Sequence, residues 1–264
     1  MTAGAGGSEE LQPIASKRAD SSLTARTRDY FRRWAARAFE RAMEDNLANV
    51  VTLLDRSGPN TRLLDLGCDD GARTVTFAAA IGTSNVHGVE VVSARAELAS
   101  RRGVDVHVGD LADRLPYADA SFDVVCSNQV IEHLADTDGF LGEVTRVLAP
   151  GGYAVTSTEN LASWHNIAAL LAGWQPFSLT NMAHRAGGLG NPLAVHRDSE
   201  GHLRSWQHVH VFAYRALIEL HELHGLAVER LLAAGYYPLP SPVARWDTRH
   251  AAFLTIRARR EPAS

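Results

Sequence analysis

The chain has 264 residues, of which 45% are hydrophobic and 21% are charged, values typical of a globular protein with one large or two small domains. The formal net charge of −4 argues against a nucleic-acid partner, and no stretch has the roughly 18 uncharged apolar residues of a membrane helix. The amino terminus lacks a secretory-signal pattern and the two cysteines cannot form a disulfide framework, so a cytoplasmic protein is expected.

The chain begins with two segments of different character. Residues 1–20 are rich in glycine, alanine and serine and have no apolar period, which predicts a disordered tail. Across residues 21–56 apolar side chains recur every three to four positions, which predicts an N-terminal helical segment. Acidic residues are interspersed with the arginines of this segment, so a solvated helix face explains the arginines better than contacts to phosphate.

Short apolar runs and helical patterns then alternate across residues 57–160. Five of these runs are predicted strands, at residues 62–66, 86–89, 104–108, 122–127 and 153–158. The same pattern resumes in residues 211–260, with a helix from about residue 213 and strands from about residues 227 and 251. Such alternation predicts βαβ units, and hence a doubly wound α/β fold with a mostly parallel, seven-stranded sheet.

Residues 161–210 interrupt this alternation. The segment contains three tryptophans and six histidines, and fifty residues exceed an ordinary connection, so we predict a substrate-binding insertion or lid after the fifth strand. The spacing of these histidines matches no zinc signature. Few acids lie near them, and magnesium requires several oxygen ligands. The sequence therefore predicts no metal site, and magnesium is not favoured as a cofactor.

Acidic residues follow three successive predicted strands. The first strand runs into the loop DLGCDDG at residues 65–71, at the sheet edge where open α/β folds bind nucleotides. The three carboxylates of this loop would repel a pyrophosphate, whereas they suit a ligand with ribose hydroxyls, an ammonium and a sulfonium, as in S-adenosylmethionine. Glu90 and Asp110 follow the second and third strands, where they can accept hydrogen bonds from ribose hydroxyls and an adenine amino group.

These motifs resemble those of the class I S-adenosylmethionine-dependent methyltransferases, whose fold is Rossmann-like. The resemblance lies in LDLGCDDG from residue 64, GVE from 88, GDL from 109, SFDVV from 121, VIEHL from 130 and RVLAPGG from 146. Asp69 stands where the family usually has the middle glycine of its first motif, and aspartate tolerates unusual backbone angles better than most residues. The resemblance implies a cofactor-binding core at residues 57–160, with contacts from Asp65, Gly67, Asp69, Gly71, Glu90, Val91, Asp110, Leu111 and Asn128.

Methyl transfer to a hydroxyl requires an aligned acceptor and a group that takes its proton. His133 follows the fourth strand at the cofactor edge, and a neutral histidine suits this task near pH 7. The segment also resembles small-molecule and sugar O-methyltransferases, in which a histidine here serves as base. Glu159, just past the fifth strand, could orient that base or hold a substrate hydroxyl. The alternatives are that His133 only orders the turn and that Glu159 caps a helix or faces solvent.

Three residues are candidates for contact with the acceptor. Trp164 and His165 lie beyond the fifth strand, where an aromatic face beside polar groups would suit a carbohydrate. Tyr30 could belong to a flap over the cofactor, although the packing of an amphipathic helix also explains it. The leading hypothesis is therefore O-methylation of a small polar acceptor, a sugar or oligosaccharide, and in its narrowest form a step of polymethylated-polysaccharide synthesis.

Two other functions remain open. A phenolic, polyketide or quinone acceptor would be favoured by a deep apolar pocket under Leu170, Leu171, Leu189 and Leu193. A non-catalytic S-adenosylmethionine-binding regulator is the second alternative. The expected partners are a small-molecule acceptor and, from the frequency of symmetric oligomers, a second copy in a homodimer.

Overall fold

A computed structural model describes residues 22–183, 185–197, 204–237, 239 and 241–261, so the predicted tail at residues 1–20 lies outside the described residues. Seven strands form one sheet in the order β3-β2-β1-β4-β5-β7-β6. Strands β1 to β5 are parallel, and β7 runs antiparallel to both β5 and β6. The predicted α/β class and the mostly parallel seven-stranded sheet are confirmed.

The elements follow one another as the alternating pattern predicts. The strands are β1 Leu63–Leu66, β2 Val86–Glu90, β3 Asp105–Val108, β4 Phe122–Asn128, β5 Leu148–Glu159, β6 Leu226–Ala234 and β7 Phe253–Arg260. The helices are α1 Ser22–Leu53, α2 Ala72–Ile81, α3 Ser93–Arg101, α4 Thr137–Val147, α5 Trp164–Leu171 and α6 Tyr214–Leu223. Short 3₁₀ turns at Ile131–His133, Phe177–Leu179 and Arg204–Trp206 lie between β4 and α6. No described helix combines the length and the apolar character needed to cross a membrane.

Side chains of β1 alternate between the two faces of the sheet. Leu63 packs in a buried cluster with Phe77 of α2, whereas Leu64 packs in a second cluster with Phe140 of α4. Helices therefore cover both faces, as in a doubly wound fold. Asp65 lies on the same face as Leu63, which directs its carboxylate toward α2.

Helix α1 packs on the half of the sheet formed by β5, β7 and β6. The residues that it buries, Ala42, Asn46, Val50 and Leu53, recur every three to four positions along one stripe. Asn46 is the polar member of this stripe. The packing brings the amino-terminal half of α1 over the carboxyl ends of β4 and β5, where the loops of the insertion also gather.

Candidate active site

The loop after β1 adopts a conformation that requires glycine at two places. Gly67 and Gly71 have φ angles of +74° and +79°, in the left-handed region that side chains disfavour. A Cβ on Gly67 would lie 2.6 Å from Cγ2 of Val130, and one on Gly71 would lie 2.8 Å from Cα of Ala99. Asp69 has a φ of +49°, so the aspartate in the motif's middle position adopts the left-handed conformation itself. The loop is thus a tight cradle of backbone groups.

The acids at this edge have different environments. Asp65 is buried and accepts a hydrogen bond of 2.6 Å from the Thr74 hydroxyl, and burial raises the pKa of this carboxyl to about 7. Glu90 accepts from the backbone N–H groups of Asp69 at 3.0 Å and Val92 at 2.8 Å. The Glu90 carboxylate therefore joins the end of β2 to the glycine cradle.

The other two acids of the loop, exposed Asp69 and partly buried Asp70, are paired with arginines in α3 and directly after it. Asp69 lies 3.2 Å from Nε of Arg95, and Asp70 lies 3.3 Å from a terminal nitrogen of Arg102. Sequence reasoning treated the three loop carboxylates as one acidic group and missed these partners. The arginines offset the charges of Asp69 and Asp70, and Asp65 and Glu90 are the two buried acids beside this loop.

The other residues predicted to contact the cofactor lie at the same sheet edge. Asp110 follows β3 and accepts from the N–H of Ala112 at 2.9 Å, while Leu111 packs against the α4-side cluster. Val91 is half exposed directly after Glu90. A cavity of about 110 Å³ is bordered by nine residues: Asp65, Gly67, Cys68, Asp69, Asp70, Ala72, Arg73, Phe77 and Asn128.

Asn128, the last residue of β4, and Gln129, the residue after it, border different cavities. Asn128 borders the small cavity, and its Oδ1 accepts a 3.1 Å hydrogen bond from Asn46 of α1. Gln129 has a φ of +59° and borders a second, larger cavity. A left-handed non-glycine residue is a form of backbone strain that clusters at functional sites. Gln129 turns the chain at this point, so that the end of β4 lies between the small cavity and the large cavity.

The larger cavity has a volume of about 520 Å³, which is in the range of small-molecule sites. Glu132, His133 and His208 lie together in its wall, with Glu159 3.8 Å from His208, and this cluster is called the polar end below. The other polar lining residues are Gln129, His165, Ser178, Thr180, Asn181 and His196. Most of the remaining wall is apolar and comes from α1, the insertion and the ends of the last strands: Trp34, Ala35, Phe39, Met43, Phe177, Leu193, Val195, Trp206, Tyr237, Ala252 and Phe253.

His133 has a defined tautomer at the polar end. Its Nδ1 lies 3.0 Å from the carbonyl oxygen of Gln207, and because a carbonyl only accepts, Nδ1 carries the proton and Nε2 keeps a lone pair. Burial, with a further contribution from His208, lowers the pKa of His133 to about 4. The ring is therefore neutral at pH 7.

Glu132 and His208 adjoin His133. The Glu132 carboxylate is fully buried and accepts a 2.9 Å hydrogen bond from the Thr158 hydroxyl, and burial raises its pKa to about 7. Nδ1 of His208 donates to the carbonyl of Ser178 at 2.6 Å and lies 3.8 Å from the Glu159 carboxylate. The rings of His133 and His208 are 4.8 Å apart between centroids.

The backbone explains how the insertion brings His208 to this place. The N–H groups of Val209 and His210 donate to the carbonyl of Glu132 at 2.8 and 3.1 Å. Sequence reasoning noted His208 only as one histidine among several in the insertion. Its distance of about 75 residues from His133 leaves no local pattern that could have revealed the pair.

The three residues predicted to contact the acceptor lie in different places. His165 borders the large cavity, and burial lowers its pKa to about 4. Trp164 does not border the described cavity wall, since it stacks on His250 at 4.6 Å and donates to the Tyr236 hydroxyl at 2.7 Å. Tyr30 is exposed and also lies outside that wall, to which α1 contributes Trp34 instead. Of the four leucines predicted to cover an apolar pocket, one lines the cavity (Leu193) and three are exposed (Leu170, Leu171 and Leu189).

Residues 64–156 match a family model described as a methyltransferase domain. The chain is 32% identical over 169 residues to the demethylmenaquinone methyltransferase of Beutenbergia cavernae, an alignment that covers 60% of this chain and 69% of the relative. It is 35% identical over 117 residues to the 27-O-demethylrifamycin SV methyltransferase of Amycolatopsis mediterranei, covering 42% and 41% of the two chains. The chain spans 22–54% of the length of four of the curated relatives that it matches.

Solved structures agree on the fold. An S-adenosylmethionine-dependent methyltransferase from Mesorhizobium loti superposes with a TM-score of 0.54 at 20% identity, covering 81% of this chain and 96% of the other. A geranyl diphosphate C-methyltransferase from Streptomyces coelicolor, solved with S-adenosyl-L-homocysteine, has a TM-score of 0.54 at 16% identity, with coverage of 82% and 80%.

Proposed function

This chain belongs to the class I S-adenosylmethionine-dependent methyltransferases, and we propose that it methylates a hydroxyl oxygen of an acceptor with a large apolar or aromatic body, of the phenolic, polyketide or quinone class. The observation that carries the proposal is the cavity of about 520 Å³, whose surface is mostly apolar and whose wall holds a cluster of polar groups around His133. Such a cavity buries the body of an acceptor and directs its one polar end toward the reacting group.

The crevice at the ends of β1, β2 and β4 fits the cofactor. A Cβ at Gly67 or Gly71 would clash with Val130 or Ala99, so both positions keep a bare backbone, and Asp65, Gly67, Asp69 and Gly71 would hold the methionine end through backbone groups. Both oxygens of Glu90 accept backbone N–H groups and keep further lone pairs for the ribose hydroxyls. The remaining contacts would come from Val91 at the ribose, Asp110 and Leu111 at the adenine, and Asn128 at the amino acid portion.

Bound S-adenosylmethionine supplies a methyl group that its sulfonium already activates for displacement. The chain must then align the acceptor oxygen and receive its proton. Nε2 of His133 would take that proton, because Nδ1 is committed to the Gln207 carbonyl. The imidazolium formed would be stabilised by the buried carboxylate of Glu132, which has an oxygen within 4.8 Å of a ring nitrogen of His133. Glu159 lies 3.8 Å from His208 in the same cavity wall, where it would act on the base through His208. Glu159 would also orient the acceptor hydroxyl.

A saccharide acceptor is the second candidate. The cavity wall carries several groups that could hold sugar hydroxyls, among them Gln129, Glu159, His165 and Asn181. The sequence-based case for a sugar rested partly on Trp164, which stands outside the described cavity wall. The apolar lining and the names of relatives that act on demethylmenaquinone and a rifamycin precursor support the phenolic, polyketide or quinone class more strongly.

The test is transfer of a labelled methyl group from S-adenosylmethionine to hydroquinones, catechols, polyketide alcohols and free or partly methylated saccharides. Trp34→Ala removes a large apolar side chain from the cavity wall. We expect the KM of the acceptor to rise about tenfold, which corresponds to the loss of about 1.4 kcal/mol of binding free energy from apolar contact. Trp246→Ala is the matched control, since Trp246 is 93% exposed. Label only in saccharides would replace the first candidate by the second. Label in no acceptor, with the cofactor still bound, would favour the non-catalytic alternative.

A further inference from the structure

Three potential metal ligands meet at the polar end of the large cavity. Glu132, His133 and His208 each offer one ligand atom, and these atoms all lie within 4.8 Å of one another. Glu132 and His133 belong to the turn after β4, and His208 belongs to the insertion. The hydrogen bonds from Val209 and His210 to the Glu132 carbonyl hold the two segments together, so the cluster is built into the fold.

Both histidines are oriented as metal ligands usually are. Nδ1 of His133 donates to the carbonyl of Gln207 at 3.0 Å, and Nδ1 of His208 donates to that of Ser178 at 2.6 Å. A metal-bound histidine almost always donates its second ring N–H to a carbonyl or carboxylate, which fixes its tautomer. Each Nε2 therefore has a lone pair, at the end of the cavity that also holds a buried carboxylate.

The Glu132 carboxylate has one oxygen without a partner. The hydroxyl of Thr158 donates to Oε2, whereas the buried Oε1 has no hydrogen-bond partner among the described atoms. A buried carboxylate oxygen left unpaired is energetically costly. A cation beside Glu132 would provide the missing partner and would offset the buried negative charge.

We propose that Glu132, His133 and His208 bind one transition-metal dication, with Zn²⁺ the best match. Two imidazoles and one carboxylate suit Zn²⁺, whereas Mg²⁺ and Ca²⁺ prefer oxygen ligands. Three protein ligands leave a fourth position of a tetrahedral site open toward the cavity. The spacing of the ligands in the sequence predicts no such site, because one of them comes from a segment about 75 residues away.

The effect of the metal on activity rests on the proposed function. The lone pair on Nε2 of His133 cannot bind a dication and accept the hydroxyl proton at the same time. Metal occupancy therefore removes the base, and the site acts as a zinc-dependent inhibitory site. Binding of the metal does not depend on this consequence, so the two can be measured separately.

The binding experiment titrates the metal-free full-length protein with Zn²⁺ against a chromophoric chelator, and with Co²⁺ by visible absorption. We expect one equivalent per chain with a tetrahedral Co²⁺ spectrum. Glu132→Gln, whose amide oxygen can still accept from Thr158, and His208→Gln should each weaken binding by more than the roughly 10- to 100-fold typical of losing a group that only hydrogen-bonds to a metal ligand. His210→Gln, two positions from a ligand, is the matched control and should bind like the parent protein.

Absence of stoichiometric binding, or equal binding by Glu132→Gln, His208→Gln and His210→Gln, would overturn the site. Circular dichroism and affinity for S-adenosylmethionine show whether each variant is folded.

In the activity experiment, methyl transfer should fall in proportion to Zn²⁺ occupancy and return when the chelator is added. Activity that rises with occupancy would overturn the inhibitory effect and the base role of His133. A metal-free enzyme that methylates no acceptor would overturn the proposed function, while the titration would still decide the site.

Discussion

Replacement of Asn46 by alanine should destabilise the fold through hydrogen bonds, and a neighbouring asparagine provides the control. Asn46 is buried on α1, where its Nδ2 donates to Asn128 and its Oδ1 accepts from the hydroxyls of Ser157 and Thr255 at 2.8 and 2.9 Å. Each hydrogen bond contributes about 1 kcal/mol net, so Asn46→Ala should lower the free energy of unfolding by about 3 kcal/mol. Asn49 lies one helical turn further on, and its Nδ2 is buried without a partner among the described atoms.

Asn49→Ala removes the same side chain from the same helix, so the gain in helix propensity is equal in the two variants and cancels. The assay is urea unfolding of parent and variants, supported by thermal unfolding. For a protein of this size the difference of about 3 kcal/mol corresponds to roughly 6 to 12 °C between the two melting temperatures. Affinity for S-adenosylmethionine should also fall in Asn46→Ala, because Asn46 holds the proposed cofactor residue Asn128. Equal stability of the two variants would refute the reasoning.

Three further predictions concern the base, a buried histidine and the glycine cradle. His133→Gln should lower single-turnover methyl transfer in metal-free enzyme by about 10² to 10⁴ with unchanged cofactor affinity, as for the loss of a general base; a reduction below threefold would contradict the base role. His221 is fully buried, and burial lowers its pKa to about 4, so the unfolded chain binds its proton first as the pH falls below about 6.5. Urea unfolding should accordingly show that His221 makes the protein about 2 kcal/mol less stable at pH 5 than at pH 7, and His221→Gln should remove this loss. The same pH dependence in the parent protein and in His221→Gln would argue against the lowered pKa of His221. Gly71→Ala should weaken cofactor binding and lower the free energy of unfolding, because its Cβ would lie 2.8 Å from Cα of Ala99 at a φ of +79°. The control is Gly142→Ala in α4, where no atom lies within 4 Å of the added Cβ, and it should raise the free energy of unfolding by up to about 1 kcal/mol. A change of the same sign in both variants would contradict the steric argument.

The local sequence pattern was sufficient to predict where the strands of the first half of the sheet begin and end. It predicted strand boundaries less well where the chain is irregular. The first strand, predicted at residues 62–66, runs from Leu63 to Leu66, because a short apolar run bounded by turn residues is a local signal. The fifth was predicted from residue 153 because Pro150, Gly151 and Gly152 precede it and such residues favour a turn, but β5 begins at Leu148. Its pairing with β4 shifts register between Phe122 and Val124. Pairing with a neighbouring strand therefore overrides the turn signal of proline and glycine.

The composition of the cavity was beyond local reasoning for a different reason. The aromatic and histidine content of the insertion predicted a polar-aromatic platform around Trp164. In the structure Trp164 packs on His250, and α1 supplies Trp34, Phe39 and Met43 to the cavity wall. The face of α1 that meets the insertion depends on how α1 and the insertion pack on β5 to β7. The spacing of residues within either segment does not determine this packing.

The sequence by itself determined the fold class and which acids and glycines lie at the sheet edge where we propose that the cofactor binds. This was possible because the carboxyl ends of parallel strands meet at one edge, so residues that end consecutive strands become neighbours whatever the rest of the chain does. Only the tertiary structure decided that Arg95 pairs with Asp69, that Asn46 holds Asn128, and that His208 joins Glu132 and His133. These contacts join segments with no fixed spacing in the chain. The Arg95–Asp69 pair forms at the surface where α3 passes the loop, whereas the contacts of Asn46 and Glu132 arise because packing buries polar groups that must find partners.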